Sequence, residues 1–303
     1  MKVKCLIFVL IILTGYESFS QCSCIGGAAV GGLTPVGGTV NIGVLRDGFL
    51  RVSGLYKYSS GDEYYRGNSP AEKGLVENYH IHYTGLLAAY GISNKLTAEL
   101  ELGGFLQKNQ DFGYYNLAGS GLSHMTVSAK YNIYHNIRYD YEITAGLGGR
   151  VPLNLKESNL PQHVLPSTGA YGLVFQAFIH KGFKDKGLRL FLIQRTELNA
   201  ENDLDYRYGE GFYTSLFASK SISKGLSGIL ELRNEFRNKD EYLGEVNNDS
   251  GGSIFIISPQ LNYVMGNFYL SALYDYPIYK YYNGYQLSNN SSFAINLTWQ
   301  VKI

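Results

Sequence analysis

Three groups of residues have types and spacings suited to chemistry. Cys22-Ser23-Cys24 sets two thiols one residue apart. In an oxidising compartment such thiols can close a small disulfide, and as thiolates they can hold a soft metal such as Cu(I). His80 and His82 stand at i and i+2. On a strand they share a face about 7 Å apart and could join a metal site or titrate near neutral pH. Glu99 and Glu101 repeat that spacing, and paired carboxylates can perform acid–base hydrolysis. Each group also has a plainer reading: an inert disulfide or free thiols for the cysteines, interior polarity for the other two. Two thiolates are too few for a metal site, so neither a metal nor a cofactor is expected. No G-x-S-x-G, H-E-x-x-H or phosphate-binding loop occurs in the chain.

The chain has 303 residues, 45% hydrophobic and 17% charged, with a formal net charge of +1 and three Cys. That Cys count rules out a disulfide scaffold, and the charge balance gives no reason to expect nucleic acid. The first twenty residues read as a signal peptide. Lys2 and Lys4 precede the apolar run Leu6–Leu13, and Ser18-Phe19-Ser20 supplies small residues for cleavage before Gln21. That run is too short to span a bilayer as a helix. Cys22 also suggests lipidation, but Gln21 stands where a lipobox has a small residue. Removing residues 1–20 takes away two Lys and one Glu, which leaves 24 basic and 24 acidic residues.

From residue 48 onward the chain alternates. Phe293, Ile295, Leu297, Trp299, Val301 and Ile303 fall on one face, with Ala294, Asn296, Thr298, Gln300 and Lys302 on the other. Leu96, Ala98, Leu100 and Leu102 oppose Thr97, Glu99 and Glu101 in the same way. Twelve such segments are predicted: 48–59, 75–92, 96–108, 122–134, 138–151, 168–181, 187–199, 209–221, 225–238, 252–265, 267–280 and 291–303. They are longer than strands of soluble domains and match tilted membrane strands. The connections between them alternate long and short, as in barrels with long extracellular loops and short periplasmic turns. Tyrosines cluster near strand ends, where amphipathic rings suit membrane interfaces. The expected fold is all-β, a transmembrane antiparallel β-barrel of about 12 strands over 48–303. The competing architecture is a soluble sandwich or lipocalin-like barrel with the apolar face inward.

The signal peptide, the strand train and the apolar segment Phe293–Ile303 resemble bacterial outer-membrane β-barrels. Members of that class usually end in Phe or Trp, read by the barrel-assembly machinery; here the last residue is Ile303, with Trp299 four residues earlier. The Gly-rich start followed by many strands is similar to the channels of phenol-degradation operons and to fatty-acid channels. The resemblance implies residence among outer-membrane lipids of a Gram-negative bacterium. It also implies assembly through the C-terminal strand, a small-molecule solute and a monomer.

With apolar faces toward lipid, the lumen would be lined by Arg51, Lys57, His80, His82, Glu99, Glu101, Lys130, Asp140, Glu142, Arg150, Arg189, Arg195, Glu197, Glu231, Arg233, Glu235, Arg237 and Asp275. These are eight cations, eight anions and two histidines. Such a balance fits cross-strand ion pairs filling the barrel, or a narrow pore of weak charge selectivity. The Gly-rich segment 21–47 could thread the lumen as a plug, or remain a periplasmic leader. A barrel lipid hydrolase would need Ser and His together on the lipid side. The alternation instead turns His80, His82, His124 and His180 inward, which argues against a lipid hydrolase. A rim protease could use His163 with loop acids such as Asp203, Asp205 and Glu210, although those acids read as loop solubilisers. The sequence thus points to a passive outer-membrane channel for small solutes, apolar ones included, with a non-conducting structural or surface-binding barrel as the alternative and a barrel enzyme third.

Overall fold

The computed structural model describes residues 43–74, 76–153 and 164–303. The signal peptide, Cys22, Cys24, His163 and all of segment 21–42 lie outside the described residues. Twelve strands run in sequence order: β1 (Phe49–Gly61), β2 (Asn78–Ser93), β3 (Leu96–Asp111), β4 (Asn116–Asn136), β5 (Tyr141–Pro152), β6 (Gly172–Phe183), β7 (Leu188–Asn199), β8 (Gly211–Ser223), β9 (Leu226–Arg237), β10 (Gly252–Met265), β11 (Phe268–Leu287) and β12 (Ser291–Lys302). Each pairs antiparallel with its neighbours in the chain, and β12 returns to pair with β1 from Phe49↔Lys302 to Ser60↔Ser291. The sheet is therefore a closed barrel without an edge.

Its polarity is inverted relative to a soluble barrel. Leu86, Leu100, Val127, Leu147, Leu173, Leu216, Leu232, Leu261 and Leu297 are exposed on the outer face. Between them, Thr97, Thr126, Lys130, Thr144, Arg195, Glu231, Arg233 and Asp275 are buried inside. Such a barrel places its apolar wall in lipid, where the closed ladder satisfies every strand amide. The soluble alternative is thereby excluded.

Two strands exceed their sequence limits. β4 begins at Asn116 and β11 continues to Leu287. The long connections expected at 109–121 and 281–290 shrink to residues 112–115 and 288–290, because both stretches continue as wall above the membrane. The rim of β11 is covered by a hairpin, Tyr64–Gly67 with Ser69–Ala71, which adds to that strand and stacks Tyr64 on Tyr285 at 4.7 Å. A second extension is the three-stranded ribbon Tyr206–Arg207, Glu241–Tyr242 and Glu245–Val246. There, hydrogen bonding to Glu241 raises the pKa of the Arg207 guanidinium. Burial raises that of the Tyr208 hydroxyl.

Leu297 lies midway along β12 on the outer face. Leu297→Arg is expected to destabilise the folded barrel by about 2–4 kcal/mol, the cost of a cation near the bilayer midplane. Urea titration in phospholipid vesicles checks this. Thr298→Ser, one residue along and inward, should cost much less.

Candidate functional site: the barrel lumen

The interior charges are held in pairs. Arg195 on β7 is fully buried; its Nη1 lies 3.0 Å from Glu101 Oε2 on β3, and its Nε 2.7 Å from Glu197 Oε1. Strands β3 and β7 are four apart in the barrel order, so the Arg195–Glu101 bridge crosses the lumen. Arg150 Nη1 completes the group at 2.6 Å from Glu197, and His124 Nε2 lies 3.7 Å from Glu101. A second network centres on Asp275, which receives Lys57 Nζ at 2.8 Å and Arg233 Nη2 at 2.7 Å. Arg233 also bonds Glu231 and Glu235, at 3.1 and 2.8 Å. Lys130 pairs with Glu99 at 2.9 Å. Arg51 donates to Gln300, Glu142 accepts from Asn132 and Thr144, and Arg237 meets Asp240. Arg189 faces a cavity at the short-turn end. A charge buried in a low-dielectric wall is tolerated when its partner is held this close.

Three positions depart from the expected lining. His80 and His82 face outward, not into the lumen. Their Nδ1 atoms lie 2.8 Å from the hydroxyls of Tyr58 and Tyr56, on the outer face of β1. The residues between them, Tyr79, Ile81 and Tyr83, are the buried ones. In β2 only the short-turn half of the outer face is apolar, at Leu86, Ala88, Tyr90 and Ile92; the upper third carries the histidines into the interfacial tyrosine belt. The premise that no strand histidine faces lipid is therefore corrected. Each Nδ1 is nevertheless held by a tyrosine hydroxyl, not by a serine. Asp140 also departs: it sits in the turn between β4 and β5 with φ 46°, half-buried at the short-turn mouth.

Apolar lumen residues escape a reading that sends every apolar face to lipid. Tyr79, Ile81, Tyr83, Phe105, Leu55, Leu273 and Ala294 form one interior cluster toward the long-loop end. Phe178, Phe191, Ile193, Phe217 and Ile229 form another toward the short turns. Lys108 was also missed as a lumen residue. A register shift between Phe105 and Lys108 rephases β3, so Lys108 turns inward and donates to the Leu165 carbonyl at 3.2 Å.

Both ends of the lumen receive chain from outside the wall. At the long-loop end Val164 is fully buried, and a Cβ on Gly119 would come within 2.2 Å of its carbonyl oxygen. Ser167 donates to the Ser123 carbonyl nearby. At the short-turn end Val44 and Leu45 are buried, and the Leu45 amide donates to the inward Thr97 hydroxyl at 2.7 Å. Gly43 touches Thr144, Glu142 and Phe178 so closely that a Cβ would lie 2.5–2.9 Å from all three. Glycine is thus required where the chain meets the inner wall. Among the described residues, no cluster of three or more His, Cys, Asp or Glu could hold a metal.

This geometry can be set against known proteins. A family model described as "Putative MetA-pathway of phenol degradation" matches residues 72–288, covering β2 to β11. The chain belongs to this family. No curated protein matches it. Among solved structures, an outer-membrane channel from Pseudomonas putida F1 is similar at 14% identity and a TM-score of 0.71, covering 85% of this chain and 97% of the other. The NanC porin is similar at 14% identity and a TM-score of 0.51, covering 83% and 100%. At these identities the likeness is one of fold, and that fold is the bacterial outer-membrane barrel. This family member therefore has the architecture of an outer-membrane protein.

The Arg195 bridge gives a test of how interior charge is compensated. Arg195→Leu leaves Glu101 without its cross-lumen partner and should destabilise the barrel by about 3–5 kcal/mol in vesicle unfolding. Adding Glu101→Leu should recover a large part of that loss, because the stranded charge is removed with its partner.

Proposed function

We propose that the protein is a passive outer-membrane channel of a Gram-negative bacterium, passing small solutes that carry an apolar part. The observation that carries this reading is the two-character lumen: paired charges set among two apolar clusters. A solute with both a polar and an apolar side finds complementary wall along such a path. The family and the fold of the Pseudomonas putida F1 channel support the same reading. No catalytic role is assigned to any residue, and the protein needs no cofactor or energy source. We further propose that segment 21–47 partly occupies the lumen from the periplasmic side, because its residues Gly43 to Leu45 pack against the inner wall.

One observation favours the alternative of a non-conducting barrel, namely the Arg195–Glu101 bridge across the lumen. Liposome swelling separates the two. Proteoliposomes in an isotonic solution of a small neutral sugar or glycol should swell faster than protein-free liposomes, and the Arg195→Leu/Glu101→Leu protein should swell them faster still. Swelling equal to that of protein-free liposomes for both proteins, with the barrel folded, would leave the filled-barrel reading in its place.

A further inference from the structure

The short-turn end of the lumen holds a cavity of about 590 Å³ lined by the β4–β5 turn and by β6 to β10. Its lining includes Asp140, His180, Lys184, Leu188, Arg189 and Val264. Two of these stand apart from the rest of the interior. Every other arginine of the inner wall has an acceptor: Arg51 has Gln300, Arg150 has Glu197, Arg195 has Glu101 and Glu197, Arg233 has Asp275, and Arg237 has Asp240. Arg189 has neither an ion pair nor a hydrogen-bond acceptor among the described residues. His180 is 1% exposed, and its Nε2 is buried without a partner among the described residues. A guanidinium without a carboxylate and a buried imidazole with a spare nitrogen line the same cavity. The buried His180 nitrogen is costly unless something completes it, and the half-buried Arg189 guanidinium is open to an anion.

The surroundings narrow what that something is. Arg189 and Lys184 contribute two positive charges and Asp140 one negative, which suits a single anionic group. His180 stacks on the buried Phe191 behind the wall, with ring centroids 4.9 Å apart and planes inclined by 15°, and the exposed ring of Phe183 lines the cavity itself. Leu188 and Val264 add apolar lining. Guanidinium groups bind carboxylates through paired N–H donors, and aromatic rings pack on such walls. We infer that this cavity is a binding site for a small aromatic monocarboxylate at the periplasmic mouth, with its carboxylate on Arg189 and its ring toward Phe183. The inference rests on the channel reading for its place in solute passage, but not for binding itself.

Equilibrium dialysis of radiolabelled benzoate against the detergent-solubilised mature protein tests it without any need for flux. The neutral isostere benzamide serves as the comparison. Saturable benzoate binding is expected, tighter than that of benzamide. Arg189→Gln should weaken it at least about tenfold, the worth of a charge-assisted hydrogen bond, and leave benzamide unchanged. Asp140→Asn removes the opposing charge and should tighten benzoate binding, a gain that misfolding cannot imitate. Absence of saturable benzoate binding, binding no tighter than benzamide, or an affinity that neither substitution alters would overturn the site. If benzoate binds as expected while liposomes fail to swell, the site stands and the channel reading falls.

Discussion

The structure depends on one constraint, that no strand may end with an unpaired neighbour. In a bilayer core there is no water to receive a free amide or carbonyl, so a strand there must be paired on both sides. The ladder between β1 and β12, continuous from Phe49↔Lys302 to Ser60↔Ser291, meets that demand by joining the first strand to the last. An even strand number, the inverted polarity and the two kinds of connection all follow from it. Once the wall is closed, its outer face meets acyl chains and accepts Leu, Val and Phe. The polar residues of each strand are left pointing into an enclosed space.

That space imposes a second demand. Charges withdrawn from bulk water need partners, and the interior supplies them through three groups, centred on Arg195, on Asp275 with Arg233, and on Lys130 with Glu99. The apolar clusters lie among these groups, and chain from Gly43–Leu45 and Val164–Ser167 meets the wall at the two ends. The interior thus mixes polar and apolar wall, with a pairing rule that lapses at Arg189. A wall of both characters can pass an amphipathic solute stepwise, and a lapse in pairing is where an anion would pause.

Much of the barrel was legible from alternation. Segments such as 96–108, 187–199 and 291–303 match β3, β7 and β12 closely because their polar and apolar faces separate cleanly over ten or more residues. The lumen placements of Glu99, Glu101, Arg195, Glu197, Glu231, Arg233 and Asp275 followed from the same separation. β2 misled because both its faces are half apolar. Tyr79, Ile81 and Tyr83 resemble a lipid face but pack inward on Phe105 and Leu273, and His80 and His82 take the outer side at the interface. The rephasing of β3 before Lys108 leaves no mark in the periodicity, since a bulge adds a residue without changing its neighbours' chemistry. The extensions of β4 and β11 were also hidden, because wall outside the membrane carries the Gly, Asn and Tyr content of a loop. Which charge pairs with which, and hence that Arg189 is left over, is a matter of distance across the barrel.

The most direct test of a plugged passive channel is single-channel conductance in a planar bilayer, comparing the mature chain from Gln21 with the same chain lacking residues 21–47. The account predicts discrete openings for the mature protein and larger ones once the segment is removed. Silence from both proteins, with heat-modifiable migration showing that each barrel is folded, would contradict it.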